Sequence, residues 1–293
     1  MKIMYIMLTA LTPAILWSFY AFGLAALVRI LAGAIAAVAA EAVYQKLTKQ
    51  KITATDGSAA ITGTLLGMAV SISTPWYAVS VSAIFGIIAG KQLLGGVGKN
   101  LFNPMMYGRL FYLFVFPDSI LPWIHPFDGV ASATPLEVLR ETGQASGVPL
   151  MDMFLGRIPG TIGEISTLAL LLGFSYLVYR KVVRWRIPLA AFAVVLILAL
   201  VRGHNPLFYF FAGSLMFGAC FMATDPMTSP RYPKGQIIFG IGIGLIIMAM
   251  RWWGWQTPGQ YEFTEGTTFA VLIMNLFTPW LNKKFKPVRA QAA

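Results

Sequence analysis

Long hydrophobic runs, separated by short polar segments, recur from one end of the chain to the other. The longer runs approach the ~20 residues that an α-helix needs to cross about 30 Å of hydrocarbon. The pattern predicts an all-α polytopic membrane protein of about ten transmembrane helices, with these approximate spans: Met4–Tyr20, Gly23–Tyr44, Ala59–Ser73, Trp76–Gly90, Pro104–Phe116, Ile162–Tyr179, Ile187–Val201, Leu207–Ala223, Ile237–Trp253 and Thr267–Leu281.

One long polar segment divides this pattern. Residues 1–117 form a first membrane half, residues 118–160 form the polar segment, and residues 161–293 form a second membrane half. The polar segment is too short to fold as a separate domain. We therefore expect it to pack on the ends of the membrane helices.

Composition and charge placement support this division. Hydrophobic residues make up 57% of the 293 residues and charged residues only 11%, whereas soluble domains are about 25% charged. The net charge of +11 could suggest a nucleic-acid partner. Most Lys and Arg residues, however, fall at one end of the predicted spans, which indicates cytoplasmic loops. The pattern therefore predicts cytoplasmic termini, an extracytoplasmic 118–160 segment and no nucleic-acid partner.

Two stretches of the first half resemble stretches of the second half in sequence. Asn103-Pro104 opens one span and Asn205-Pro206 opens another, and the polar segments 56–58 and 163–167 each precede a Leu- and Gly-containing run. The first copy of each pair starts on the cytoplasmic side and the second on the opposite side. This arrangement predicts two inverted five-helix repeats.

A glycine-rich segment, residues 95–104, is the first candidate for ligand binding. Its glycines permit sharp turns, Asn100 and Asn103 offer amide groups three residues apart, and Pro104 begins a helix. The residues alone favour a structural turn over a ligand site.

Two further segments carry polar groups. In residues 128–137, Pro135 holds Thr134 in an extended conformation, so its hydroxyl can stand clear of the backbone, although the residues alone favour an ordinary N-cap or turn. In residues 221–230, Asp225 stands among hydroxyls that could bind a cation or cap a turn. Arg109 lies within a span, where charge is usually functional. The lone Cys220 and two separated histidines predict no metal site.

These three segments, in this order, resemble the family formed by the D subunit of the Rnf complex and the B subunit of the sodium-pumping NADH:quinone reductase. The resemblance covers essentially the whole chain. It implies that FMN is attached through a phosphoester to Thr134, with Asp128, Ser132 and Ala133 beside it. The chain departs from the family's Ser/Thr-Gly-Ala-Thr motif, because Ala131 and Ser132 occupy its first two positions.

The resemblance also implies a second, non-covalent flavin, riboflavin or FMN, at Asn100 and Asn103. Arg109 is expected near a flavin phosphate or ring, with a salt bridge as the alternative. Glu164, at the mouth of the sixth span, and Asp225 are candidates for an ion path, although a structural role ranks above it for both.

The function implied is that of a flavin-carrying subunit of a bacterial plasma-membrane ferredoxin:NAD⁺ oxidoreductase. Electron transfer across the membrane would be coupled to Na⁺ or H⁺ movement, and partner subunits would handle ferredoxin and NAD. No catalytic acid or base is expected in this chain. The alternative is a cofactor-free secondary transporter or channel built on the same inverted repeat.

Overall fold

The computed structural model describes residues 2–143, 147–253 and 266–287, and this part of the chain is helical without a β-strand. Its helices are α1 (Lys2–Phe22), α2 (Leu24–Leu47), α3 (Ser58–Met68), α4 (Trp76–Ile87), α5 (Pro104–Val115), α6 (Pro135–Thr142), α7 (Leu150–Leu155), α8 (Thr167–Tyr179), α9 (Arg186–Val201), α10 (Pro206–Phe211), α11 (Leu215–Phe217), α12 (Pro233–Trp253) and α13 (Gly266–Lys284). Two π-helical turns, Ile88–Gln92 and Gly218–Met222, continue α4 and α11.

Three of these helices are long and apolar enough to cross a membrane on their own: Ile3–Phe22, Leu24–Leu47 and Pro233–Trp252. Together with the all-helical architecture, they are consistent with the predicted class of membrane protein. Several other spans are shorter than predicted. For example, α3 ends at Met68 because the chain turns before Pro75, which precedes α4. The ten-span inverted repeat stays a prediction.

The prediction of one continuous helix over residues 207–223 is wrong, because the helix is broken between α10 and α11. The chain leaves the helical path after α10, where Gly213 has a positive φ of 63° that favours glycine. The guanidinium of Arg251 on α12 compensates for the break. Its Nη1 atom donates to the carbonyl oxygen of Tyr209 and its Nη2 atom to that of Ala212, each at 2.7 Å. The carbonyls freed by the break are thus hydrogen-bonded, as a low-dielectric surrounding requires.

Close glycine contacts hold the helices of the first half together. A Cβ atom added at Gly63 on α3 would collide with the backbone of Gly33 on α2, and one added at Gly67 would meet Arg29 and Ile30. The α4–α5 pair is packed in the same way, since a Cβ atom at Gly108 would lie 2.7 Å from the carbonyl oxygen of Ser82. Small residues let helix backbones approach this closely.

The 118–160 segment contains two short helices, α6 and α7, that hydrophobic periodicity did not predict. The segment packs on helix ends, as expected. Phe127 donates its backbone N–H to the carbonyl of Ala21 at 3.2 Å, and Ser71 donates its hydroxyl to the carbonyl of Pro122 at 3.1 Å. These contacts fasten the segment to α1 and to the α3–α4 connection. We call this end of the molecule the Thr134 end.

Candidate functional site

Thr134 is the N-cap residue of α6. Its backbone is extended (φ −68°, ψ 157°), as the following proline predicts. Its Oγ1 atom accepts the backbone N–H of Glu137 at 3.3 Å, and the Glu137 carboxylate accepts the backbone N–H of Thr134 at 2.7 Å. This reciprocal pair is a capping box. Trp123 donates its ring N–H to the same carboxylate at 2.8 Å, so Thr134 is held in a fixed position.

Thr134 lines a cavity together with two other predicted residues, Arg109 and Glu164. These three residues are far apart in sequence, and only the fold brings them together. The cavity has a volume of about 50 Å³, room for a few water molecules, and is much smaller than a typical ligand pocket. We call it the Thr134 cavity; its remaining wall is largely apolar and is formed by Ala69, Trp123, Pro135, Leu136, Ile158, Pro159, Gly160, Ile165, Gly213, Ser214, Phe217, Met222 and Thr268.

The charged groups of the Thr134 cavity differ in burial. Arg109 is buried on α5, and its guanidinium carbon lies 5.2 Å from the ring centroid of Tyr112. Glu164 is half-buried, and its Oε1 atom accepts the backbone N–H of Thr161 at 3.4 Å. The cavity therefore offers a cation, an anion and the Thr134 hydroxyl within one enclosure.

Asp128, Ser132 and Ala133 do not line this cavity. Asp128 lies in an exposed turn, where its Oδ2 atom is 3.0 Å from Nδ1 of His125. Ala133 is also exposed. Ser132 pairs through its backbone N–H with the carbonyl of Trp123 at 3.0 Å, whereas its hydroxyl oxygen is buried and has no hydrogen-bond partner among the described residues.

Asn100, Asn103 and Asp225 line a second cavity, which we call the Asn100 cavity; its other residues are Met4, Met7, Ser58, Ile61, Thr62, Leu65, Lys91, Val97, Pro104 and Met227. Both amides also stabilise the local backbone. Asn100 accepts from the N–H of Gly98 at 3.1 Å, and Asn103 accepts from the N–H of Met105 at 3.0 Å and so caps α5. The turn expected from the sequence is therefore present, at the edge of a cavity.

Asp225 lies in the turn that follows the second π-helical turn. Its carboxylate accepts the N–H of Met227 at 3.3 Å and the hydroxyl of Thr228 at 3.0 Å. Burial raises the pKa of Asp225, while these two hydrogen bonds and the charge of Arg184 oppose the rise. Asp225 is thus both a cavity residue and the centre of a capped turn.

A buried ion pair that was not predicted from the sequence lies beside the Asn100 cavity. Lys91 lies in the first π-helical turn and donates to both carboxylate oxygens of Glu41 on α2. Gln45 and Gln92 also donate to this carboxylate, and Lys91 donates to Ser58 at 2.6 Å. A glutamate within an apolar span is the signal that could have identified this network.

The two cavities are stacked along shared elements. Leu65 on α3 lines the Asn100 cavity, and Ala69, just beyond α3, lines the Thr134 cavity. On α5, Pro104 lines the Asn100 cavity and Arg109 lines the Thr134 cavity. At a rise of 1.5 Å per residue, the partition is roughly 6–8 Å thick along these helices. The residues of α3 and α5 between these two levels include the fully buried Leu66, Met105 and Met106.

Comparisons with known proteins show similarity to one family over nearly the whole chain. The sequence model of the NQR2, RnfD, RnfE family matches residues 1–291. The chain is 41% identical over 287 residues, 96% of this chain and 88% of the relative, to the D subunit of the Na(+)-translocating ferredoxin:NAD(+) oxidoreductase complex of Acetobacterium woodii. It is 38% identical over 307 residues, 98% of this chain and 91% of the relative, to the D subunit of the proton-translocating ferredoxin:NAD(+) oxidoreductase complex of Clostridium ljungdahlii.

A less similar relative is also named as a D subunit, of a complex whose name does not specify the ion or the electron carriers. The chain is 30% identical over 334 residues, 98% of this chain and 93% of the relative, to the D subunit of the ion-translocating oxidoreductase complex of Escherichia coli. Similarity thus extends over nearly the full length of each protein.

Proposed function

We propose that this chain, which belongs to the NQR2, RnfD, RnfE family, is the flavin-carrying membrane subunit of a redox-driven ion pump of the Rnf type. Its relatives are named as D subunits of ion-translocating oxidoreductase complexes, and two of them as components of ferredoxin:NAD(+) oxidoreductases. The chain would therefore act as part of a translocating oxidoreductase and have no activity alone.

The observation that carries this proposal is the position of Thr134 at the Thr134 cavity. An FMN phosphate esterified to its Oγ1 atom would lie at the start of α6, where the helix dipole favours negative charge. Arg109 supplies a cation within the cavity, and Trp123 and Leu136 supply apolar groups close to the attachment point. The buried, unpartnered hydroxyl of Ser132 next to this segment could donate a hydrogen bond to the attached group.

The Asn100 cavity supports the second, non-covalent flavin. Its polar wall includes Asn100, Asn103 and the start of α5 at Pro104, groups that suit the carbonyl oxygens or phosphate of riboflavin or FMN. Bound flavin would supply the redox chemistry, and the protein would supply position and electrostatics. The thin partition of buried side chains would keep water and ions from passing freely between the two sites.

The direction of transfer follows from the predicted topology. With both termini cytoplasmic, the Asn100 cavity would face the cytoplasm and the Thr134 cavity the opposite side, so electrons would cross the membrane through this subunit. Ferredoxin and NAD would bind partner subunits, because this chain has one cysteine and no nucleotide-binding motif. Glu164 and Asp225, one at each cavity, would serve the movement of Na⁺ or H⁺.

The direct test is flavin fluorescence of the denatured chain on a gel, after production with its flavin transferase and partner subunits. We expect the wild-type band and a Thr134→Ser band to fluoresce, because both keep a hydroxyl that can be esterified, and a Thr134→Ala band to be dark. A dark wild-type band would favour the cofactor-free transporter instead.

A further inference from the structure

The helix α13 carries buried polar groups that the proposed electron route does not use. Asn275 stands at the middle of this 19-residue helix and is only 1% exposed. Neither its Oδ1 atom nor its Nδ2 atom has a hydrogen-bond partner within the part of the chain that the structure describes. An unsatisfied buried polar group costs about 1–3 kcal/mol, and lipid offers it no partner. A polar partner outside the described residues, such as water or a hydrated ion, would remove this cost.

Two more buried oxygen atoms belong to the same pair of helices. Thr278, one turn beyond Asn275, is 7% exposed, and Gln236 near the start of α12 is 4% exposed. Neither the Oγ1 atom of Thr278 nor the Oε1 atom of Gln236 has a hydrogen-bond partner in the described ranges. Gly242 lies beside Met274 and Gly235 beside Leu281, and this register of the antiparallel pair α12–α13 places Gln236 roughly 3 Å in depth from Thr278 and roughly 8 Å from Asn275.

These groups face the interior rather than lipid. On α12, Gly235 contacts α13 and Gly240 contacts α9, and Gln236 lies on the face between these two contacts. On α13, Asn275 follows Thr268 by two helical turns and so shares its face, and Thr268 lines the Thr134 cavity. The polar face of α13 thus leads from that cavity, over roughly 10 Å of helix, towards the end of the molecule that holds the Asn100 cavity.

We propose that Asn275, Thr278 and Gln236 line a passage that holds a partly hydrated monovalent cation on its way through the protein. Hard cations prefer oxygen ligands, and neutral oxygens spaced along a passage would bind a cation weakly enough to release it again. The hydration water of the cation would accept the hydrogen bond that the Asn275 amide N–H now lacks. This inference deepens the proposed function and rests on it, since the electron-transfer complex would supply the driving force.

The test uses the whole complex in proteoliposomes, supplied with reduced ferredoxin and NAD⁺. Uptake of radioactive Na⁺ and internal pH are recorded beside the rate of NADH formation, which is measured with an ionophore present. Asn275→Leu removes both polar atoms at similar size, and Thr278→Val removes one hydroxyl. We expect each variant to keep its flavin content and its NADH formation within about twofold. The number of cations moved per electron should fall about two- to tenfold for Asn275→Leu, as the loss of a ligand contact of hydrogen-bond strength implies.

Leu276→Ala is the matched control, because Leu276 is the next residue on α13 and is 53% exposed; it should leave all readouts unchanged. Unaltered cation transport per electron in both polar variants would overturn the passage and leave the proposed function intact, with water filling the space. A parallel loss of transport, flavin content and NADH formation in both variants would mean a structural role and would also overturn it. A wild-type complex that forms NADH without moving Na⁺ or protons would overturn the ion-pump proposal itself.

Discussion

The Nζ atom of Lys91 lies 2.7 Å from both carboxylate oxygens of Glu41, and the two side chains are almost completely buried. The pair joins the first π-helical turn to α2 at the edge of the Asn100 cavity. π-helical turns are often found at functional sites. The pair therefore holds in place the part of the cavity wall that Lys91 and Ser58 form.

Breaking this ion pair should destabilise the protein strongly. Lys91→Met leaves the Glu41 carboxylate buried without its cation, which costs about 3–5 kcal/mol. We expect a clear drop in the thermal unfolding midpoint of the detergent-solubilised complex. Adding Glu41→Gln to Lys91→Met should recover part of the loss, because the uncompensated charge is then removed. A double variant less stable than Lys91→Met would contradict this account of the pair.

The capping box at α6 should position Thr134 for modification. Glu137→Ala removes the reciprocal hydrogen bond of the cap and the partner of the Trp123 ring N–H, at a cost of about 0.5–2 kcal/mol for the cap. We expect less covalent flavin per chain, measured by gel fluorescence against total protein. Glu141→Ala, an exposed change on the same helix, should have no effect. Equal labelling of both variants would show that the cap does not position Thr134.

The contact between α2 and α3 should tolerate no side chain at Gly63. In Gly63→Ala the new Cβ atom collides with the backbone of Gly33, so the helices must separate at a cost of about 1–3 kcal/mol. A lowered unfolding midpoint of the solubilised complex is the expected result. The control is Ile35→Ala on the exposed face of α2. If the two variants unfold at the same temperature, the close approach of these helices is not as described.

The titration of Asp225 should make stability depend on pH. Burial raises its pKa in the folded protein, so the folded state holds this proton more tightly than the unfolded state does. The resulting stabilisation is complete below the ordinary aspartate pKa of about 4. It is lost as the pH rises through the raised pKa of the folded protein.

The measurement is the difference in unfolding midpoint between the wild type and Asp225→Asn across this pH range. We expect the wild type to lose stability relative to Asp225→Asn as the pH increases. Asp118→Asn, which changes an exposed carboxylate, should run parallel to the wild type. If the unfolding midpoint of the wild type instead rises relative to that of Asp225→Asn as the pH increases, the hydrogen bonds and the charge of Arg184 lower the pKa of Asp225 by more than burial raises it.

Hydrophobic run length predicted most helices well. It succeeded for α1, α2 and α12 because each is a continuous apolar run that needs no distant partner. It failed between residues 207 and 223, since the break depends on Gly213 and on capping of two carbonyls by Arg251 from another helix. The short helices α6 and α7 lack a long apolar run, although Thr134 followed three residues later by Glu137 is a capping-box pattern that could have revealed α6.

Site residues were predicted individually, but their grouping was not. Thr134 was found through a motif, whereas its placement with Arg109 and Glu164 in one cavity depends on how α5 and the 118–160 segment pack. Likewise, Asn100 and Asp225 line one cavity although they come from different halves of the chain. Nothing local marks Asn275 as unpartnered, because the partners of a side chain are a property of the whole fold.

The central claim is the ester between a flavin phosphate and Thr134. Intact-mass spectrometry of this chain, purified from the assembled complex, followed by mapping of the peptide that contains residue 134, tests it most directly. We predict a mass increase equal to FMN less one water, located on Thr134. An unmodified chain in a complex that transfers electrons, or a flavin attached elsewhere, would contradict the account.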